Sequence, residues 1–328
     1  MTRILVLVLL LLSLVKCSVS SIETIYALNS EMSQQTFITF NMLNSTFTYD
    51  TLNNAFGQMI YGVLQPIGTD QIQVLDYNIS STFTVANFNI KSGNLELSQS
   101  LEVMDFEFQF NSQLSYYSPE SNLIGIVGTS GVNNVSFVYW DLSNNGKISL
   151  YTTEYITSQV PLSCINNEVI ISFYFSEPDY DPYIITTNVL TNLTVQFQVE
   201  NLEFDSNSSS LPDVYPLFIK GNLYLVVVDQ FKTESITLYL VELNGGTSSG
   251  IGTLKQLFQL PVITYVGGAP VVVSQDQQNI IFIGAPNGNT SEVLLSVYNI
   301  PSNINSQYSF QNPQDTFDFY SFNAFLAE

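Results

Sequence analysis

The sequence predicts an all-β chain folded as a β-propeller of six four-stranded blades, closed by a C-terminal strand. Three observations carry this reading. Apolar residues alternate with polar ones over short runs, the period of a pleated strand. A pair of landmark residues about twenty positions apart recurs at intervals of about fifty. The first repeat lacks a strand that the end of the chain can supply. β-Sandwich domains remain the alternative, since they draw on the same strand-rich composition.

The alternation is clear in Phe106, Phe108 and Phe110, which enclose Glu107 and Gln109. It continues in 46–49, 195–199 and 236–240, where Tyr, Phe, Val, Ile and Thr suit a half-buried pleated surface. Helical spacing occurs only over Ile251, Leu254, Leu257 and Phe258, within a short run from Ile251 to Leu260.

The repeat shows first as an anchor: Asn, Asp or Glu followed by an aliphatic residue at the end of a strand. Anchors stand at Asn41, Asn89, Asp141, Asn188, Glu242 and Asn299, spaced 48, 52, 47, 54 and 57 residues apart. Upstream of each later anchor an Asn or Asp opens a strongly apolar strand. The pairs are Asp70 with Asn89, Asn122 with Asp141, Asn167 with Asn188, Asn222 with Glu242, and Asn279 with Asn299. A further strand precedes each of these openings, begun by Pro161, Pro216 and Pro270 in three repeats. Four strands in about fifty residues make a propeller blade. The first repeat begins at Ile22 with its second strand. The extra run Phe317 to Phe322 is the expected partner, and closure would remove the exposed edges.

Trp140-Asp141 resembles the dipeptide that ends the third strand of WD40 blades, over one blade of the chain. The Gly-His pair of that family is absent. Gly245-Gly246 and Gly267-Gly268 are similar to kelch diglycines but fall at different places in the blade. The resemblance implies the blade architecture and no specific family.

Composition bounds the function. Seven Lys and Arg face 28 Asp and Glu, a net charge of −21, and there is no His. Residues 1–20 read as a secretory signal peptide: Arg3, an apolar run from Ile4 to Val15, then Lys16. Residues 21–328 then form one propeller domain with five Lys and no Arg. Such a chain is ill suited to nucleic acid or an anionic membrane surface, and no second apolar run is long enough to span a bilayer. A His-based triad and a guanidinium clamp are both out of reach. Cys164, the only Cys after the leader, reads as a buried small hydrophobe. The expected location is extracellular, or the lumen of the secretory and endolysosomal pathway. Sequons at Asn44, Asn78, Asn134, Asn192, Asn207 and Asn289 are available there for glycosylation.

No catalytic residue stands out. Asp105, Glu168, Glu177, Asp229 and Asp276 lie at strand ends, and two such carboxylates could serve a glycoside hydrolase or lyase. Glu177, Asp179 and Asp181 form the densest acidic run, a candidate Ca²⁺ site that also reads as a hairpin loop between the second and third strands of one blade. No other cofactor is expected. The main expectation is a secreted, non-catalytic binding protein whose partner is an extracellular protein or a glycan. The alternatives are the carboxylate enzyme and a structural secretory protein. The acidic loop, Asp205, Asp213 and the sequons Asn78, Asn134, Asn207 and Asn289 sort to one face. A protein partner is therefore expected on the opposite face or the side.

Overall fold

The computed structural model describes residues 24–31, 34–52, 59–66, 71–78, 82–89, 92, 94–102, 115–118, 122–129, 134–143, 147–154, 162–166, 169–176, 179–188, 191, 193–204, 211–229, 235–261, 263–264, 271–274, 276–286, 291–312 and 322–327. The leader, Ile22, Glu177, Asp105, Glu168, Asp205 and the sequon residues Asn192, Asn207 and Asn289 lie outside them.

The strands assemble into six antiparallel blades. Blade 1 holds β1 (Thr24–Glu31), β2 (Gln34–Asn41) and β3 (Thr46–Leu52). Blade 2 holds β4 (Met59–Pro66), β5 (Gln71–Asn78), β6 (Thr82–Asn89) and β7 (Leu95–Glu102). Blade 3 holds β8 (Ser115–Ser118), β9 (Leu123–Thr129), β10 (Asn134–Asp141) and β11 (Lys147–Glu154). Blade 4 holds β12 (Leu162–Asn166), β13 (Val169–Ser176), β14 (Asp181–Asn188) and β15 (Leu193–Glu200). Blade 5 holds β16 (Asp213–Ile219), β17 (Asn222–Asp229), β18 (Ser235–Gly245) and β19 (Ser249–Pro261). Blade 6 holds β20 (Ile263–Thr264) and β21 (Val271–Val273), both paired with β22 (Asn279–Pro286), then β23 (Glu292–Asn299) and β24 (Ile304–Gln311). The last strand, β25 (Phe322–Ala327), returns to pair antiparallel with β1 and completes blade 1. First strands of neighbouring blades lie side by side: β25 by β4, β4 by β8, β8 by β12, β12 by β16, and β21 by β25. The chain is therefore a β-propeller closed by its own C-terminal strand.

The register explains the landmarks. Asn279 pairs directly with Asn299, Gln71 with Asn89, Leu123 with Asp141, and Val169 with Asn188. Among the described opening residues, Asn279 lies across from Asn299, while Asn122 and Asn222 stand one residue before the partners of Asp141 and Val241. In blades 2, 4 and 6 two eight-residue strands and their turn fill the interval. The anchor side chains then cap the next turn. Asn41 Oδ1 accepts from the N–H groups of Leu43 and Asn44, Asn89 Oδ1 from Ser92, Asp141 Oδ1 from Ser143, Asn188 Oδ1 from Thr191, and Asn299 Oδ1 from Ser302. This is the turn chemistry for which Asn and Asp are favoured. The residue before each anchor is buried: Phe40, Phe88, Trp140, Thr187, Val241 and Tyr298.

Blade faces alternate along the third strands, and the core lies between blades. Phe40, Ile38 and Ile25 of blade 1 pack with Ile281, Val293, Leu295 and Phe310 of blade 6. The Phe40 and Phe310 rings meet edge to face at 5.2 Å. Tyr224, Val226, Val228 and Leu238 of blade 5 pack with Phe282 and Tyr298 of blade 6. Ile171, Phe173, Ile184 and Phe197 of blade 4 pack with Leu225, Val227 and Val241 of blade 5. Removing one such ring costs about 3–5 kcal/mol by lost burial and the cavity left behind.

Blade 5 departs from the pattern. Its anchor is Glu242, which is exposed and sits inside β18 rather than at its end. β18 and β19 run on as an extended hairpin, and β19 pairs in parallel with β15 over Gln196–Glu200 and Ser249–Thr253. Blades 4 and 5 thus share one eight-stranded sheet. Gly245 and Gly250 face each other across this hairpin. A Cβ on Gly250 would lie 2.5 Å from Asn244 O and 2.6 Å from Phe197 Cδ1.

The helically spaced apolar residues between Ile251 and Leu260 belong to strand β19, which pairs with β18. Two expectations are corrected. Pro216 does not open its strand: it lies inside β16, opposite Leu225. A first strand has one unpaired edge, where a missing N–H is tolerated. The closing strand is Phe322–Ala327, later than the run expected from Phe317 to Phe322, whose earlier residues lie outside the described ones.

Candidate functional site

The topology sorts the loops onto two faces. Turns between second and third strands, and the links between blades, emerge on one face; turns between first and second and between third and fourth strands emerge on the other. On the first face, between blades 4 and 5, lies an open cavity of about 330 Å³. It is lined by Asn201, Glu203, Val227, Asp229, Thr237, Tyr239, Leu254, Gln256 and Gln259.

Local rules place each side chain. Beyond β15 the backbone turns through the left-handed region at Asn201, φ 64°. Residues then alternate: Leu202 and Phe204 pack into the core between the blades, while Asn201 and Glu203 line the cavity. Val227 and Asp229 share one face of β17, as period two requires. Asp229, the last residue of that strand, is 2% exposed. Thr237 and Tyr239 share the same face of β18. The register of β18 with β19 shifts between Leu238 and Tyr239, so that Leu238 pairs with Phe258 and Tyr239 with Gln256, leaving Leu257 as the extra residue of a bulge. The bulge lets Gln256 and Gln259, three positions apart, both reach the cavity.

The cavity groups are linked. Gln259 Nε2 donates to Ser235 Oγ at 2.9 Å, the Ser235 and Thr237 hydroxyls lie 3.3 Å apart, and Gln256 Nε2 lies 3.5 Å from Gln259 Oε1. Burial pushes the Tyr239 phenol up from its ordinary pKa. A hydrogen bond with Thr237 opposes that shift, while the negative fields of Glu203 and Asp229 add to it. Both carboxylates therefore act on the same phenol, which stays protonated. Among the described residues that line the cavity, none is cationic. Their inventory is carboxylate, amide, hydroxyl, one aromatic ring and the aliphatic Val227 and Leu254.

Other sequence candidates fall elsewhere. Asp179 is exposed and Asp181 opens β14, in the turn between the second and third strands of blade 4. That is the hairpin loop expected from sequence. Among the described residues there is no group of three His, Cys, Asp or Glu that could hold a metal. Asp276 is a turn cap on the other face: its Oδ1 accepts from Ser274 Oγ and, at 3.0 Å, from Gln278 N. Among the described candidate carboxylates, only Asp229 joins the cavity. Glu203 and Tyr239 were missed, because neither sits in a motif and only the fold brings them to Asp229. Asn78 and Asn134 flank turns on the cavity face, whereas Asn44 is exposed on the opposite one. Leu43, Leu193, Ile251 and Ile304 are the exposed large hydrophobic residues among those described. All four lie in a turn between third and fourth strands or early in a fourth strand, at or towards the face opposite the cavity. Cys164 sits in β12 across from Ile171. Among the described residues no helix is long and apolar enough to cross a membrane.

No family model and no curated protein matches the sequence. Solved structures resemble the fold. A TolB-like protein from Agrobacterium tumefaciens is 9% identical, with a TM-score of 0.49, 90% of this chain and 98% of that one being covered. A 6-phosphogluconolactonase-like protein from Bacteroides fragilis is 9% identical, with a TM-score of 0.45 and coverage of 92% and 98%. AofleA from Arthrobotrys oligospora is 12% identical, with a TM-score of 0.47 and coverage of 72% and 67%. These are likenesses of chain arrangement alone; the propeller rests on the strand pairing described above.

Proposed function

We propose that the protein is a secreted recognition protein that binds without catalysis, its ligand a glycan held in the cavity beside blade 5. The lining carries this reading. Thr237, Gln256, Gln259 and Asn201 offer paired donors and acceptors for ring hydroxyls, and the Tyr239 ring offers an apolar surface. The volume is at the lower end of the range for small-ligand sites. The scaffold is rigid, because the cavity is built mostly on strands of the shared sheet rather than on loops. The opposite face, with Leu43, Leu193, Ile251 and Ile304 exposed, is left for contact with an extracellular macromolecule.

A second reading has one observation in its favour. Glu203 and Asp229 converge on Tyr239, as a carboxylate-dependent hydrolase or lyase would need. With its pKa raised, the Tyr239 phenol is a weaker acid that holds its proton, so little phenolate is present to act as the base of a lyase.

The test is a glycan array probed with the mature chain, followed by calorimetry on the hits and assay of the same mixtures for new reducing ends or unsaturated sugars. Saturable binding without product is expected, weakened by Gln259→Ala and by Tyr239→Ala. Turnover lost in Asp229→Asn would establish the enzyme instead.

A further inference from the structure

We propose that Asn44 is an N-glycosylation acceptor, favoured over Asn78 and Asn134, and that its glycan stands on the face opposite the cavity, beside Leu43. The inference rests on the secretory part of the reading above and adds a modification site to it.

The local geometry carries it. Asn44, Ser45 and Thr46 form the sequon, and all three are exposed in or beside the turn between β2 and β3. Asn44 Oδ1 accepts from the N–H of Thr46 at 3.2 Å and also from the Thr46 hydroxyl. Ser45, between them, takes a left-handed backbone with φ 52°. The hydroxyl that a sequon must supply therefore already lies against the carboxamide. Both bonds use the oxygen of that amide and leave its nitrogen uncommitted. Transfer needs that nitrogen. Asn44 Nδ2 attacks the anomeric carbon of an oligosaccharide carried on a lipid diphosphate. The N–C bond forms, the C–O bond to the diphosphate breaks, the diphosphate leaves with the electron pair, and one amide proton passes to a base of the transferase.

The bend is also local in the chain. Asn41 Oδ1 accepts from the N–H groups of Leu43 at 3.1 Å and Asn44 at 3.3 Å, so side chains within the turn hold it. Such a turn forms on the order of microseconds, while synthesis adds about 5–20 residues per second. The acceptor geometry thus exists before β25 closes the ring, and the finished fold leaves it exposed.

The other described sequon residues lack this arrangement. Asn78 ends β5 and pairs with Thr82. Asn134 opens β10 across from Glu154, and Val135 and Ser136 are paired on both sides. Folding draws these segments into a ladder rather than a bend. In the sequon of Asn192, the Thr194 hydroxyl lies 3.3 Å from that of Thr187, which is buried. A glycan is bulky and solubilising. On Asn44 it stands next to Leu43, which is 71% exposed, and screens that side chain. Macromolecular contact on this face then falls to Leu193, Ile251 and Ile304.

The experiment is glycopeptide mass spectrometry on the full-length chain expressed in insect cells and recovered from the medium. Site occupancy is read from the mass shift at each Asn after enzymatic release of the glycan. Occupancy of Asn44 in most molecules, above that of Asn78 and Asn134, is expected. Thr46→Ala should lose the Asn44 glycan and Thr46→Ser should retain it. Asn44→Asp controls for folding, because it keeps the oxygen to which Thr46 donates and removes only the nitrogen; it should reach the medium without the glycan. A secreted chain in which Asn44 is unmodified, or occupied no more than Asn78 and Asn134, would overturn the inference and leave secretion standing. A chain that stays in the cytosol with Met1 intact would overturn the secretory reading as well. Retention of the glycan in Thr46→Ala would overturn the part assigned to the hydroxyl.

Discussion

Asn299 donates a side-chain N–H to Asn279 Oδ1 at 2.8 Å, and both residues are buried. They are cross-strand partners twenty positions apart, at the two ends of the hairpin in blade 6. Asn299 Oδ1 also accepts from the backbone N–H and hydroxyl of Ser302, so one amide joins the strand pair to the following turn. The backbone N–H of Asn279 donates to Ser274 Oγ at 2.8 Å, which ties in the preceding turn.

Asn299→Ala should therefore be costly. It strands Asn279 Oδ1 in a buried place and removes the cap from the exposed Ser302, a loss of about 2–3 kcal/mol. Asn41→Ala removes the equivalent cap where Leu43 and Asn44 are exposed, so water replaces it and the loss is about 1 kcal/mol. Urea unfolding of both variants measures the contrast; equal losses would show that burial of the blade 6 pair contributes nothing.

Gly250→Ala tests the join between blades 4 and 5. The added Cβ meets Asn244 O at 2.5 Å and Phe197 Cδ1 at 2.6 Å, so the hairpin must move off β15. Overpacking of this kind costs about 1–3 kcal/mol. Hydrogen exchange should quicken over Gln196–Glu200, where β15 pairs with β19. Gly246→Ala is the control: nothing lies within 4 Å of its Cβ position.

Deleting residues 322–328 removes β25 and leaves β1 with an unpaired edge. The truncated chain is expected to aggregate or unfold at a temperature well below that of the whole chain. A stable monomer on size-exclusion chromatography would mean that ring closure does not depend on the strand.

Alkaline unfolding should follow Tyr174. Burial, with the nearby Tyr183 as a smaller cause, raises its pKa from 10.0 to about 12. The folded state keeps this proton where the unfolded chain has lost it. The stabilisation is complete below pH 10 and disappears as pH rises through about 12. Melting temperature should fall steeply across that window. Tyr174→Phe should flatten the fall, at the cost of the 2.8 Å bond that Gln196 Nε2 donates to the phenol.

Much of the fold was legible because it rests on local chemistry. The anchors at Asn41, Asn89, Asp141, Asn188 and Asn299 are readable because a side-chain carbonyl must cap each turn, and Asn and Asp do this best. Blade 5 was less legible around Ile251 because its anchor is Glu242, which does not end the strand, so no local signal marks where the hairpin ends. The cavity was legible only in part. Asp229 could be picked out at a strand end, but Glu203 lies in a link between blades and Tyr239 in the middle of a strand.

By itself the sequence determined the strand period, the four-strand repeat, the number of blades and the need for a returning strand, since each depends on residues close together in the chain. Tertiary structure alone decided that blades 4 and 5 share one sheet and that Asp229, Glu203 and Tyr239 meet. Those facts depend on two glycines allowing a close approach and on a bulge at Leu257 reversing which side chains face the cavity. One extra residue in a strand turns every later side chain over, and its position depends on the partner strand as well as on the strand that carries it.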